Sequence, residues 1–219
     1  MPASLSGLDG KLAAVTAGEG AIAPACAAAL LERGAEVRVL IRHEPLPKNL
    51  DILVAVYDVG CLPTPAEGDA ETDWDAAVND PARRMYTELR AAAVAMRERE
   101  KGSIVVAAPE IAFAGVRGAS AVAAAAGSVL SASRALAIEL APLVRINSIV
   151  YGCIEGDPFS EWLRSTDPNR SQALDGTLTL LERFGRPEEV GAAAAFLASD
   201  RASFITAHQL VVDGGYLVH

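Results

Sequence analysis

Alternation constrains this chain more than any single residue does. Short runs rich in β-branched residues recur along it, each followed by a stretch of helical character. The runs are KLAAVT (11–16), AEVRVLI (35–41), DILVAV (51–56), SIVVAA (103–108), VRINSIV (144–150) and QLVV (209–212). Near-continuous apolar runs of this length read as strands buried on both faces. Between them the pattern predicts a helix over 21–33, closed by Gly34, and another starting near Trp74 with Thr72 or Asp73 as its cap. A helix over 82–100 follows, with Arg97, Arg99 and Lys101 at its negative end, and a long one over 119–140. The section holding Pro158 and Pro168 predicts one or two short helices. A last helix opens at Pro187, with Glu188 and Glu189 in its first turn, and runs to about Ser199. Strands alternating with helices predict a parallel sheet covered on both faces, the doubly wound α/β class, in a single domain over 1–219.

Composition narrows the function. Hydrophobic residues make up 51% of the 219, but 43 of them are alanine, which suits helices packed closely through small side chains. A formal charge of −9 and 5% aromatics argue against binding nucleic acid or an anionic membrane. Cys26, Cys61 and Cys153 are widely spaced, His43, His208 and His219 are scattered, and no metal-ligand spacing links them. The expectation is a cytoplasmic protein with reduced thiols. The first twenty residues lack the basic start and apolar run of a secretory signal, and the apolar stretch 119–143 reads as a buried or interfacial helix.

The order of segments and the stretch from Phe184 to Gly215 resemble the short-chain dehydrogenase/reductase family. That stretch holds Gly-Arg-Pro-Glu-Glu-Val (185–190), Phe-Leu-Ala-Ser-Asp (196–200), Ser-Phe-Ile-Thr (203–206) and Val-Asp-Gly-Gly (212–215). Supporting matches are Asp51–Val54, Trp74-Asp75, Gly102–Val105 and Val144–Ile149. The resemblance implies a Rossmann-like sheet. Only nine residues, Arg42 to Leu50, join the second and third strands. At about 3.3 Å each they span roughly 30 Å, too little for the helix and edge strand the family places there. Six strands, with one edge strand of the usual seven missing, are therefore expected. Arg42 falls where the family selects the ribose.

The resemblance also implies chemistry that these residues do not spell out. The family's Thr-Gly-x-x-x-Gly-x-Gly loop aligns with Thr16–Ala23, which puts Ala17, Ala21 and Ala23 at the glycine positions and Glu19 near the phosphates. Such glycines let a pyrophosphate approach the backbone. The family's Tyr-x-x-x-Lys does not occur: Cys61, Arg90 and Glu155 stand four residues after Tyr57, Tyr86 and Tyr151, and no lysine follows Lys101. Pro109, Val122, Ala126 and Pro81 align with the family's Ser, Tyr, Lys and Asn. Tyr86 and Arg90 resemble the Tyr-x-x-x-Arg of halohydrin dehalogenases, but one helix too early.

These readings predict no catalytic residue, no metal site and lost NAD(P) binding. The expected function is a catalytically silent subunit that assembles with an active paralogue of the family, or with itself. Its contacts are expected through the helices over 82–100 and 119–140 and the last strand. The alternatives are a cofactor-independent enzyme in the former cleft and a ligand-binding regulatory protein. Glu110, Tyr151, Cys153 and Asp157 are the pocket candidates, because they fall on loops at the carboxyl ends of strands.

Overall fold

The computed structural model describes residues 7–16, 18–41, 44–57, 74–116, 118–166 and 179–218. The strands are β1 (Leu12–Thr16), β2 (Glu36–Leu40), β3 (Ile52–Val56), β4 (Gly102–Pro109), β5 (Val144–Tyr151) and β6 (Gln209–Val212). They form one six-stranded parallel sheet in the order β2-β1-β3-β4-β5-β6. The expected number of strands and the missing edge are both observed. Arg42 lies outside the described residues, as do Ala17, His43, Cys61, Thr72, Asp73, Pro168 and His219.

The helices are α1 (Ile22–Leu31), α2 (Asp80–Glu98), α3 (Ser120–Leu140), α4 (Pro158–Thr166) and α5 (Pro187–Ala198). α2 and α3 cover one face of the sheet, burying Leu89, Met96, Val122, Leu130 and Leu136 against Leu53, Ile104 and Ile146. α1 and α5 cover the other, burying Ile22, Leu30, Val190 and Leu197 against Val15, Val54 and Ile149. Small residues set the spacing on that second face. A Cβ on Gly191 of α5 would stand 2.6 Å from the Ala25 carbonyl oxygen of α1, so the two backbones pack as closely as glycine allows.

The separate helices expected near Trp74 and over 82–100 form one continuous helical run. Its joint is a π turn at Asp75–Asn79 leading directly into α2. Pro81 has no amide hydrogen to close a regular turn there, and the wider turn accommodates it. Among the described residues α3 alone is long and apolar enough to cross a membrane, and it lies in this fold with 44% of its most apolar stretch buried.

Charge at the amino end of the sheet is fully engaged. Asp51 accepts the Leu12 amide at 3.0 Å and pairs with Arg99 at 3.1 Å and Lys101 at 3.4 Å. Burial alone would raise its carboxyl pKa, but the Leu12 bond and the two cations outweigh burial and hold it below the ordinary value. Arg145 donates to the carbonyls of Leu197 (2.9 Å), Ser199 (3.0 Å), Ile205 (3.3 Å) and Ala198 (3.4 Å). It thereby satisfies the orphan carbonyls that end α5 and places a cation at its negative pole.

Candidate functional site

In an open parallel sheet the ligand crevice lies beyond the carboxyl ends of the strands. At the end of β1, Thr16 is 8% exposed and its hydroxyl has no hydrogen-bond partner among the described residues. The turn after it reaches α1 through Gly20, whose φ of +114° is open to glycine. The first turn of α1 has no acidic residue and no side-chain cap, so its leading amides are orphan donors. One donor at this end is taken: the Ala21 amide bonds to the Gly156 carbonyl at 3.2 Å. Pro158 closes the same spot, since a Cβ on Gly20 would lie 2.7 Å from its Cδ.

A second polar group lies beyond β4 and β5. Tyr151 is the last residue of β5 and only 1% exposed, so it belongs to the sheet and not to a loop. Its hydroxyl interacts with the Asp157 carboxylate and favours the anion there. Asp157 Oδ2 also accepts the Ser160 amide and hydroxyl, each at 2.9 Å, and the Ile154 amide donates to Ser160 Oγ at 3.0 Å. Asp157 is thus the N-cap of α4, with Pro158 at the first helical position. Burial pushes its carboxyl pKa up, against the interactions with Ser160, Phe159 and Tyr151 that favour the anion.

Glu110 opens a single 3₁₀ turn after β4 and is 6% exposed. A Cβ on Gly152 would fall 2.8 Å from both Glu110 Oε2 and the Asp213 Cα, so only glycine fits between them. Cys153, the next residue, borders a cavity of about 450 Å³ with Ile154, Leu180, Arg183, Val211 and Asp213. The Asp213 carboxylate accepts the Gly215 and Leu217 amides, both at 2.8 Å, and closes the turn after β6.

The four residues singled out in the sequence therefore fall at one end of the sheet. Tyr151 and Asp157 interact, Glu110 lies against Gly152 next to Tyr151, and Cys153 lines the cavity. Thr16 and Ser160 were missed. The spacing Asp157-Pro-x-Ser160 is a helix-start signal that identifies Ser160, whereas nothing in the sequence marks the Thr16 hydroxyl as lacking a partner. Among the described residues no three His, Cys, Asp or Glu side chains gather to hold a metal.

A family model described as enoyl-(acyl carrier protein) reductase matches residues 46–217. The chain is 37% identical over 169 residues to cyclopentanol dehydrogenase of Comamonas sp., covering 77% of this chain and 66% of that protein. It is 30% identical over 217 residues to the BbsC subunit of a hydroxy(phenyl)methylsuccinyl-CoA dehydrogenase of Thauera aromatica, covering 97% of this chain and 83% of that one. A Beutenbergia cavernae protein described as an NAD(P)-dependent gluconate 5-dehydrogenase was solved with bound NADP. It superposes with a TM-score of 0.86 at 25% identity, over 97% of this chain and 98% of that one. The chain belongs to the short-chain dehydrogenase/reductase family, a family of oxidoreductases.

These findings correct two expectations. A catalytically silent subunit and the loss of NAD(P) binding do not stand beside relatives named as dehydrogenases and a neighbour holding NADP. The structure gives the physical reason for the second correction. Ala23 is buried in the core between α1 and the sheet, so its methyl group does not stand in the crevice. Ala21 packs on Gly156, whose own lack of a side chain makes the room. Apart from the Ala21 amide held by Gly156, the buried Thr16 hydroxyl and the start of α1, which has no side-chain cap, suit the pyrophosphate of a nicotinamide dinucleotide once Pro158 gives way. When bound, such a group supplies the hydride acceptor or donor. The residues at the start of α1 would hold its phosphates.

Proposed function

We propose that this chain is a subunit of an NAD(P)-dependent oxidoreductase acting on a small, largely apolar alcohol or ketone, with Glu110 as the proton-handling group. The observation that carries the reading is the cavity walled by Ile154, Leu180, Val211 and Asp213, together with Glu110, which is buried against Gly152 close behind Asp213. Glu110 takes the role because the chain has no Tyr-x-x-x-Lys and the Tyr151 hydroxyl already interacts with the Asp157 carboxylate. As carboxylate it accepts the proton of a substrate hydroxyl, and as carboxylic acid it returns a proton to the carbonyl oxygen. The small cyclic alcohol in the name of the Comamonas relative supports the substrate class. Two buried cysteines, Cys26 and Cys153, that form no disulfide among the described residues support a cytoplasmic setting.

Assembly with a paralogue or a second copy through α2, α3 and β6 is part of the proposal. It is supported by Tyr86, Val94, Ile138 and Val211, large apolar side chains exposed on those elements. The test is nicotinamide oxidation by the purified chain with cyclopentanone and other small ketones. Turnover is expected, and Glu110→Gln should lower it by about a hundredfold or more while leaving dinucleotide affinity unchanged. No turnover with any ketone, or an unimpaired Glu110→Gln enzyme, overturns the reading.

A further inference from the structure

With the family's edge strand missing, β2 is the outer strand of the sheet, paired on one side only. The Glu36 amide donates to Lys11 at 2.9 Å, which fixes the direction of every backbone group along β2. In a parallel pair the groups of Glu36, Arg38 and Leu40 face β1, and those of Val37 and Val39 face outward. Next along, Ile41 is already satisfied: its amide donates to Glu44 Oε2, and its carbonyl accepts the Glu44 amide. The Ala35 amide is taken by Leu30, and no bond among the described residues uses its carbonyl. The open edge is therefore short and defined. It offers the amides of Val37 and Val39, with the carbonyls of Ala35, Val37 and Val39 as acceptors.

Side chains divide by face. Ala35 and Val37 pack on the core beneath α1, and Val39, on that same side, is 49% exposed. Glu36 and Arg38 are exposed on the opposite face, and neither has an ion pair or side-chain hydrogen bond among the described residues.

We propose that β2 pairs antiparallel with β2 of a second copy across a two-fold axis at Val37, joining the two sheets edge to edge. Two registers engage both outward amides. With the axis at Arg38, Val37 pairs with Val39 of the other copy, but the two Arg38 side chains face each other, which repels. With the axis at Val37, the two Val37 residues exchange their bonds and each Val39 amide meets the Ala35 carbonyl of the other copy. Glu36 of each copy then lies directly opposite Arg38 of the other, and both ion pairs form. The charge pattern thus selects one register and one occupant, a second copy of this chain. The apolar side chains of Val37 and Val39 meet on the α1 side, continuing that core across the joint. This face is separate from the α2, α3 and β6 surfaces of the proposed assembly.

The test is site-directed cross-linking in a Cys61→Ser background, where the described cysteines, Cys26 and Cys153, are buried. Residues opposite in a bonded antiparallel pair stand about 5.5 Å apart at Cα, within disulfide range. Val37→Cys should give a covalent dimer under mild oxidation. Val39→Cys, set about 13 Å from its own copy by the register, should not. Arg38→Glu should weaken the dimer by about tenfold, and the swap Glu36→Arg with Arg38→Glu should restore it. Failure of Val37→Cys to link, preferential linking of Val39→Cys, or a swap no better than Arg38→Glu each overturns the proposal. Any loss of turnover in the test of Glu110 leaves this result unaffected.

Discussion

The two ends of the sheet handle buried polarity in opposite ways. At the amino end Asp51 pairs with Arg99 and Lys101 and accepts the Leu12 amide, and Arg145 donates to four carbonyls. At the carboxyl end Thr16 keeps a buried hydroxyl without a partner among the described residues, burial pushes the Asp157 carboxyl pKa up, and Glu110 is buried against Gly152. A buried polar group left under-used lowers stability, and such costs concentrate where a ligand will meet them. The amino end reads as scaffold and the carboxyl end as the working face.

Substitutions at the two ends should separate stability from function. Arg145→Met strips the donor from three carbonyls at the end of α5 and from that of Ile205 and should cost about 3 kcal/mol, read as a lowered denaturant midpoint with unchanged slope. An equal midpoint would break the scaffold reading. Asp157→Asn keeps a capping side chain and should change stability by less than about 1 kcal/mol. Its clearer signature is pH. A carboxyl pKa raised by burial means the native state binds more protons, so wild-type stability falls as pH rises from the ordinary carboxylate range through the raised value. The Asn variant should lose that fall.

Asp51 has the opposite sign. Its lowered pKa contributes stability that is present above the ordinary carboxylate value and lost as pH falls through the native one. Asp51→Asn should flatten the acid side of the stability profile, while Asp157→Asn flattens the side above it. Profiles of the same sign in both variants would contradict the contrast between the ends. The smallest change in stability is expected of Thr16→Val, within about 0.5 kcal/mol, because a hydroxyl without a partner contributes little to the fold. The same variant should weaken dinucleotide binding, and unchanged binding would remove Thr16 from the site.

Much of the scaffold was legible because it rests on local signals. SIVVAA and VRINSIV fell within β4 and β5, and Pro187 with Glu188 and Glu189 marked the start of α5. The join between the helical segments at Trp74 and α2 was not legible, since a π turn around Pro81 is a compromise between two helical patterns. The site was harder. Tyr151 read as a loop residue because β5 extends to it, and its interaction with Asp157 depends on where the turn after the strand folds back. Arg145 reaches α5 across more than fifty residues, and no spacing announces that contact. The three alanines read as obstacles because an alignment gives identity without direction. The structure shows Ala23 facing the core and Ala21 resting on a glycine.

The central claim is that the carboxyl end of this sheet still receives a nicotinamide dinucleotide. Calorimetric titration of NADP+ and NAD+ into the purified chain tests it most directly. The account predicts saturable binding of at least one of them, weakened by Thr16→Val and left intact by Asp51→Asn. Heats no larger than dilution for both nucleotides, with the folded chain verified in the same cell, would contradict it.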